Sequence, residues 1–341
     1  MSLPPVEIPL GAMRFNSDSN KLEYWNGSIW LQIHTFSPNL DGGVRAIAAG
    51  GSGPSGNPDK VQYFSMASSG NASDFGNLPQ RQYLTSGTAS RSRAVFMGGY
   101  TNSPSSTYIN SIQCLEIAST GSASDFGDLT SVAGYTGTVG NQIRSVRMGG
   151  TSPSSPWQVT MDYVSIAVKA NAVDFGDMSY GTSNSSNINN PIRGINALAS
   201  APNSSRTIES ITIPTTGNTS DFGLLTHGRQ DGSGMSNSVR GIFNGGYESP
   251  GLVPFMEHVT IATEGNGTRF GDLSVVTFRE GGHASPTRGI ISGGMGPSPY
   301  PYLDTMQSVN FASEGDTVDF GDLDASRIEH ASTSNGHGGL G

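Results

Sequence analysis

The chain has 341 residues, of which 47 are Gly and 19 are Pro, and only 13% are charged. That balance favours turns and short strands, and no segment repeats apolar residues at the helical period, which excludes long amphipathic helices. A net charge of −9 with only 18 Lys and Arg, all scattered, argues against binding to nucleic acid or to an anionic membrane surface. There is no run of about 20 apolar residues, so membrane insertion is not expected either.

Residues 1–33 stand apart from the rest and predict a small β-meander of three strands. Met13 and Phe15 alternate with polar residues, as do Leu22 and Tyr24, which is typical of half-buried strands. Asn26-Gly27 has the composition of a type I′ turn that reverses the chain once more.

Such a meander is too small to bury large side chains alone, so they need a partner surface. Packing on the neighbouring domain is one solution. The other is a docking or oligomerisation contact made by Arg14, Phe15, Leu22, Tyr24, Trp25 and Trp30, with Ile33 adding apolar surface.

From residue 34 onward the chain consists of six repeats, each marked by a Phe-Gly motif such as Ser-Asp-Phe-Gly-Asp-Leu. The motif Phe residues are Phe75, Phe126, Phe175, Phe222, Phe270 and Phe320. They are 51, 49, 47, 48 and 50 residues apart, a period typical of β-propeller blades. Each repeat also has an Arg before an apolar run: Arg45, Arg93, Arg144, Arg193, Arg240 and Arg288. The run usually ends in Gly-Gly, which Ala199-Ser200 replaces in the fourth repeat.

Two spacings are the same in every repeat. Each motif Phe lies nine residues after the second apolar residue of an alternating strand, and the next Arg follows that Phe by 18 residues. Constant spacing indicates hairpins in fixed register, whereas the segment after Gly-Gly varies in length and predicts a loop. Together these spacings predict four strands per repeat. We therefore predict an all-β fold: a six-bladed β-propeller over residues 34–341, preceded by the β-meander.

The two ends of the repeat array complement each other. The repeat that begins at Arg45 lacks a preceding first strand, whereas residues 327–332 supply a spare strand after Phe320. We predict that this spare strand pairs with residues 45–51, which closes the ring and leaves no unpaired edge there.

The order of strand, diglycine, alternating strand and closing aromatic resembles the kelch repeat, with Phe where kelch usually has Trp. Arg81, Arg229, Arg279 and Arg327 lie near the place where kelch blades often carry Arg, although their position in the repeat is irregular. This resemblance covers residues 45–341 and implies a fold rather than an activity.

The segment Gly-x-Met-Arg-Phe-Asn-x-x-x-x-Lys-Leu-Glu-Tyr-Trp-Asn-Gly-Ser-x-Trp, residues 11–30, resembles a short module that recurs in bacteriophage tail-fibre and other virion proteins. There it often lies at the end of a fibre or adaptor. The resemblance covers residues 11–33 and implies a virion protein that docks or self-associates through this module.

The repeated motifs favour structural roles. In the Phe-Gly motif, Asp is expected to accept backbone N–H groups, Gly to supply a permissive dihedral angle and Phe to fill the space between blades. Asp is replaced by Arg269 in the fifth copy. The six repeat Arg residues could form an anion-binding ring or tether neighbouring blades through carbonyls, and their repetition favours the tether. His and Cys spacings predict no metal site, and no catalytic residue or cofactor is expected.

Three functions remain open. The first is a non-enzymatic structural protein of a bacteriophage virion, in the tail or a surface appendage. It would be assembled in the host cytoplasm, contact other virion proteins and copies of itself, and present its propeller to a host glycan or receptor. The second is a glycan-binding or glycan-hydrolysing propeller enzyme, which two carboxylates about 5–10 Å apart in the central funnel would favour. The third is a kelch-type protein-interaction scaffold.

Overall fold

The computed structural model describes residues 8–16, 21–32, 44–54, 56, 58–198 and 206–340. The chain divides into two compact units, Met1–Leu40 and Asp41–Gly341. The boundary set from sequence, between residues 33 and 34, lies outside the described residues, as does Ile33.

The first unit contains an antiparallel sheet of three strands in the order β1-β2-β3. The strands are β1 Met13–Asn16, β2 Lys21–Trp25 and β3 Trp30–Gln32. The connection between β2 and β3 is longer than the predicted two-residue turn, because Trp25 pairs directly with Trp30. The side-chain oxygen of Asn26 accepts the backbone N–H groups of Ser28 and Ile29, at 3.0 and 2.9 Å, and thereby holds a wider loop.

The second unit is built from six four-stranded antiparallel sheets. The first sheet comprises β4 Arg45–Ala49, β5 Lys60–Ser65 and β6 Ser73–Asn77 together with β29 Ala331–Ser334. The second comprises β7 Ser86–Ala89, β8 Arg93–Thr101, β9 Thr107–Glu116 and β10 Ser124–Asp128. The third comprises β11 Gly137–Gly140, β12 Arg144–Met148, β13 Gln158–Ser165 and β14 Val173–Thr182.

The remaining three sheets follow the same plan. The fourth comprises β15 Ser186–Asn189, β16 Arg193–Ala197, β17 Thr207–Thr212 and β18 Ser220–Leu224. The fifth comprises β19 Ser233–Ser236, β20 Arg240–Asn244, β23 Phe255–Thr260 and β24 Thr268–Asp272, beside the small hairpin of β21 Tyr247–Glu248 and β22 Gly251–Leu252. The sixth comprises β25 Gly281–Ala284, β26 Arg288–Ser292, β27 Thr305–Asn310 and β28 Val318–Asp322, and a short 3-10 helix spans Gly338–Leu340. The prediction of an all-β chain with four strands per repeat is therefore confirmed.

The predicted pairing between the two ends of the array is also confirmed. In the first sheet β29 pairs antiparallel with β4, with Ala331 opposite Ala49 and Ser334 opposite Ala46. The strand begins a few residues later than predicted, but the backbone groups of Ile328 and Ser52 exchange two hydrogen bonds just before it, at 2.8 and 2.9 Å. Residues far apart in sequence therefore complete one sheet.

Each sheet has one edge strand, opposite its motif strand, that we call its inner strand; in the first sheet this is β29. Every inner strand contacts the inner strands of two other sheets. The contacts run in cyclic order through β29, β7, β11, β15, β19 and β25, and β25 contacts β29 again. The six sheets are thus arranged around their inner strands, and the motif strands lie at the opposite side of each sheet.

Every motif Phe sits at a β-bulge. In the second sheet, Asp125 pairs with Gln113 and Gly127 with Ile112, so Phe126 is the extra residue between them. Gly127 has a φ of +151°, and a Cβ there would lie only 2.4 Å from the carbonyl oxygen of Ala170 in the next repeat. Glycine is needed because the backbone of the next repeat approaches so closely.

The bulge turns the Phe side chain into the core between two sheets. Phe126 is 2% exposed and packs with Val95 and Met97 of its own sheet and with Val164 and Ile166 of the third sheet. The other five motif Phe residues are buried to the same degree. Burial of the rings between sheets agrees with the expectation that Phe fills this space.

The expected role of the motif Asp differs from the observed one. Asp125 is exposed, and within the described residues no backbone N–H donates to its carboxylate. A backbone N–H of the motif is instead bonded by the next repeat: the side-chain oxygen of Asn171 accepts the N–H of Asp128 at 3.0 Å. An exposed carboxylate costs little to leave unpaired, which explains why Arg269 is tolerated at the same position.

The segments after the Gly-Gly pairs are more regular than predicted in two repeats. In the second sheet, the β8–β9 hairpin extends through Gly98-Gly99 until Thr101 pairs with Thr107. In the fifth, β21 and β22 form a separate hairpin. Ala199 and Ser200 of the fourth repeat lie outside the described residues.

Residues 336–340 lie across one end of the inner strands. The buried side chain of His337 contacts the carbonyl oxygen of Ala89 at the end of β7 through Nε2, at 2.6 Å, and the amide of Asn189 at the end of β15 through Nδ1, at 3.2 Å. A Cβ on Gly339 would collide with the backbone of Gly140, at the end of β11. This segment closes that end of the space between the inner strands.

Candidate functional sites

One face of the three-stranded sheet in the first unit is apolar and exposed. Met13 pairs with Tyr24 and Phe15 pairs with Leu22, so all four side chains share one face. Their exposed fractions are 60% for Met13, 64% for Phe15, 37% for Leu22 and 38% for Tyr24. We call these four residues the module face; Met13 belongs to it although it was not among the residues predicted from sequence.

The other predicted docking residues lie on the opposite face of this sheet. The guanidinium of Arg14 lies 4.2 Å from the centre of the Trp30 ring and donates from Nε to Glu23 Oε2 at 2.9 Å. The rings of Trp25 and Trp30 are 5.5 Å apart. The six predicted residues therefore divide between two faces. Phe15, Leu22 and Tyr24 are on the module face, whereas Arg14, Trp25 and Trp30 pack mainly on one another.

The six repeat Arg residues link neighbouring sheets. The Nη1 atom of each donates to a carbonyl oxygen of the next repeat at 2.7–3.2 Å, and the acceptors of Arg45, Arg93, Arg144, Arg193, Arg240 and Arg288 are Ile117, Ile166, Ile213, Ile261, Phe311 and Met66. Five of the guanidinium groups also lie over an aromatic ring, as Arg144 does over Tyr163 at 4.6 Å. Because Nη1 of each is bonded to a carbonyl of the next repeat and five of the six stack on rings, these side chains act as tethers between neighbouring sheets.

A second candidate site lies among the inner strands, in a cavity of about 180 Å³. Six equivalent residues, one from each repeat, surround it, and each lies nine positions after its motif Phe. We call them the rim residues: Leu84, Tyr135, Asn184, Asp231, Arg279 and Glu329.

The rim residues share one unusual backbone conformation. All six have φ between +52° and +60°, the left-handed region that glycine adopts freely and other residues adopt at a cost of about 1–2 kcal/mol. Backbone hydrogen bonds hold this geometry: Tyr135 N–H donates to the Leu84 carbonyl at 2.9 Å, and Leu84 N–H donates to that of Glu329 at 3.1 Å. The backbone is therefore nearly the same six times, whereas the side chain differs every time.

Three rim residues form a charged group at the cavity. Arg279 Nε lies 3.3 Å from Asp231 Oδ2, and Arg279 Nη1 lies 2.8 Å from Glu329 Oε1. Burial tends to lower the pKa of Arg279, but the charges of Asp231 and Glu329 outweigh it and raise that pKa overall. Burial also raises the pKa of Glu329 to about 7, although Arg279 opposes the shift. Two carboxylates thus converge here, but both contact the same guanidinium.

Neutral groups continue the cavity wall beside this charged group. Burial raises the pKa of the Glu280 carboxyl to about 8, and its Oε1 accepts the side-chain N–H of Asn244 at 2.8 Å. Burial lowers the pKa of His330 well below its ordinary value. At pH 7 both side chains are therefore uncharged, and the wall offers hydrogen-bonding groups with little net charge.

Several buried polar atoms at the cavity have no hydrogen-bond partner in the protein. They are Ser185 Oγ, Ser186 Oγ, Glu280 Oε2, Glu329 Oε1 and His330 Nδ1. Glu329 Oε1 is close to Arg279 as an ion pair, yet no N–H points at it in hydrogen-bonding geometry. Buried polar groups normally find a partner, so five unpartnered atoms around one cavity make it a candidate site.

Sequence reasoning identified none of these atoms as a site, although it noted Arg279 among the irregularly placed Arg residues. The structure explains the irregularity. Arg229 and Arg327 occupy one repeat position and are buried, Arg279 occupies the rim, and Arg81 is exposed. The available signal was a position at constant spacing from the motif Phe whose residue type never repeats.

Comparison of the chain with models of known protein families gives no match, and comparison with curated proteins gives none either. Across the described residues, no group of three or more His, Cys, Asp or Glu side chains is placed to hold a metal ion. The same residues contain no helix of the length and apolarity needed to cross a membrane.

The buried carboxyl of Glu280 makes stability depend on pH. It ionises at about pH 4.3 in an unfolded chain but only at about pH 8 in the folded protein. Its contribution to stability is complete at low pH and is lost as the pH rises through this window. The Glu280→Gln variant has no group to ionise here, so its stability should not fall in this way. The difference in free energy of unfolding between the variant and the unmodified chain should therefore grow, in favour of the variant, by about 1.4 kcal/mol for each unit of rising pH.

Urea denaturation at several pH values across this window measures the effect. Glu264→Gln is the control, because the Glu264 side chain is 64% exposed and its variant should follow the unmodified chain at every pH. If the Glu280→Gln profile also runs parallel to that of the unmodified chain, Glu280 is ionised in the folded protein and the prediction is wrong.

Proposed function

We propose that this chain is a non-enzymatic structural protein of a bacteriophage virion, in which the first unit joins copies of the chain and the second presents a six-bladed, kelch-like β-propeller. The observation that carries the proposal is the module face. Met13, Phe15, Leu22 and Tyr24 leave a large apolar area in water, at roughly 25 cal/mol per Å². The likeness of residues 11–33 to a recurrent virion module supports the same function.

The propeller arrangement is supported by the second unit. Six sheets with the same strand order contact one another in a cycle through their inner strands. Each repeat Arg donates to the next repeat, and Arg288 of the sixth donates to Met66 of the first. A closed array of this kind leaves only short, protected strand edges, which suits a protein exposed on the outside of a particle.

Other copies of the chain are the partners that best fit the module face. Among the described residues of β1, β2 and β3, strand alternation places no charged side chain on this face, since Arg14 and Glu23 lie on the opposite one and pair with each other. Identical uncharged surfaces can meet without like-charge repulsion. Further virion proteins would then contact the assembled copies.

The oligomeric state tests this proposal. Light scattering on the full chain should give a defined oligomer, and the double variant Phe15→Ser/Tyr24→Ser should give a folded monomer. Ile143→Ser is the matched control, because Ile143 is 63% exposed but belongs to the second unit, and its oligomer should persist. A monomeric full chain, or an unchanged oligomer in the double variant, would contradict assembly through the module face.

Placement in the particle needs its own measurement. Antibodies against the chain should label the tail or a surface appendage in electron micrographs of phage particles whose genome encodes it. Absence of the chain from such purified particles would contradict the virion proposal even if the chain forms oligomers.

Glycan hydrolysis is a second candidate because two carboxylates, those of Asp231 and Glu329, converge at the cavity, and the pKa of Glu329 is about 7, as suits a general acid. The geometry argues against it. Arg279 ion-pairs with both carboxylates, whereas a glycosidase needs them free to flank the scissile bond. The non-enzymatic function therefore remains the proposal.

A further inference from the structure

We propose that the cavity bounded by the rim residues binds a single uncharged sugar residue at the end of a glycan. This goes beyond assembly through the first unit, because the cavity lies wholly within the second. The inference starts from the way the repeats differ. They share Phe, Arg and Gly at equivalent positions, yet their six rim side chains are all different.

The rim conformation points to a role other than folding. Glycine would adopt this left-handed backbone without strain, but none of the six rim residues is glycine. Asn and Asp adopt it at little cost, but the other four repeats accept the strain and keep a side chain at the cavity. Strained residues held by surrounding hydrogen bonds are characteristic of binding sites, and a ligand of low symmetry requires different side chains around it.

The unpartnered atoms define the chemistry of the ligand. Ser185 and Ser186 present hydroxyl groups that both donate and accept. The neutral Glu280 carboxyl has a free Oε2, and Glu329 Oε1, although ion-paired with Arg279, has no hydrogen bond. A set of donors and acceptors around one cavity is matched by a ligand whose groups do both, and adjacent hydroxyl groups on a sugar ring have this property.

Charge excludes an anionic sugar. Arg279 is the one Lys or Arg among the residues described at the cavity, and Asp231 and Glu329 already pair with it. A carboxylate or phosphate would therefore meet two acidic groups and no unpaired cation. The ligand should carry no charge.

The size of the cavity limits the ligand to one sugar ring. Its volume of about 180 Å³ is below the roughly 300–1,000 Å³ of sites for drug-sized ligands. Residues 336–340 close the end opposite the rim, so a longer glycan cannot pass through. Arg279, about one-third exposed, and Tyr135 lie on the rim side, where the rest of a glycan would leave the cavity.

Titration of the full chain with D-glucose, D-galactose and D-mannose, followed by saturation-transfer NMR and calorimetry, tests this inference. At least one of the three should bind saturably at millimolar concentration, and its methyl glycoside should bind as well, because a glycan end has no free reducing group. N-acetylneuraminic acid, which is anionic, should not bind. Failure of all three hexoses, binding of the acid instead, or rejection of the methyl glycoside would overturn the proposal.

The double variant Ser185→Ala/Ser186→Ala locates the site. Neither hydroxyl has a protein partner, so their removal should leave stability nearly unchanged but weaken hexose binding by at least about tenfold, or 1.4 kcal/mol. Ser69→Ala, at an exposed position, is the control and should bind normally. Unchanged binding in the double variant would place the sugar elsewhere. A monomeric chain would count against the assembly proposal alone, since sugar binding is measured within one chain.

Discussion

Deletion of residues 325–341 is expected to abolish cooperative folding of the second unit. The deletion removes β29, so β4 loses its hydrogen-bonded neighbour over Ala46–Ala49 and becomes an unpaired edge. It also removes Arg327, whose Nη1 donates to the carbonyl of Gly50 at 3.2 Å. Because domains retain only about 5–15 kcal/mol of net stability, loss of a strand shared by the first and last repeats should leave no stable fold.

Thermal melting followed by near-ultraviolet circular dichroism measures this effect. A shorter deletion, of residues 338–341, is the control because it leaves β29 intact and removes only the 3-10 turn and the last residue. The short deletion should melt cooperatively, and the long one should show no transition. An unchanged melting temperature for the long deletion would mean that the pairing between β29 and β4 contributes nothing to stability.

Replacement of Phe126 by Ala should lower the free energy of unfolding by about 3–5 kcal/mol, as large-to-small core changes do. Phe126 is 2% exposed and fills the space between the second and third sheets, with Leu129 and Ala172 among its neighbours. The bulge fixes the backbone at this position. The surrounding side chains therefore cannot easily move into the space that the Phe126 ring leaves.

Urea denaturation compares this variant with Val168→Ala, a change at a residue that is 63% exposed. The control should stay within about 0.5 kcal/mol of the unmodified chain. The equivalent change Phe175→Ala should lower the free energy of unfolding by about as much as Phe126→Ala does. Near-neutral effects at both Phe positions would show that the motif does not anchor the core between sheets.

The strands could be predicted because the repeat supplies many observations of the same structure. One spacing of nine residues between an apolar strand position and Phe says little, but six identical spacings require the same hairpin each time. The pairing of β4 with β29 could be predicted for the same reason, because the repeats showed a strand missing at one end of the array and a spare strand at the other. Repetition also favoured the tether role for Arg144 and its equivalents, which donate to carbonyls of the next repeat.

The cavity could not be predicted, because its signal is the opposite of repetition. Leu84, Asn184 and Arg279 have no residue type in common, and of the six rim residues only Asn184 and Asp231 are of types that adopt a left-handed backbone readily. Their conformation is imposed by hydrogen bonds between repeats, which appear only when the sheets come together. The pairing of Trp25 directly with Trp30 depended likewise on strand register, which the wide loop at Asn26 sets and the expected turn would have set differently.

The pairing of β29 with β4 has a consequence for synthesis of the chain. Within the second unit, ribosomes make β4, β5 and β6 first, but β29 emerges only after all five other sheets have been made. Until then, the free edge of β4 can pair with any suitable strand, including the β29 segment of another nascent or newly released chain. Completion of the second unit therefore waits for the last repeat, and the free edge of β4 favours domain-swapped pairs in which each chain supplies the last strand of its neighbour.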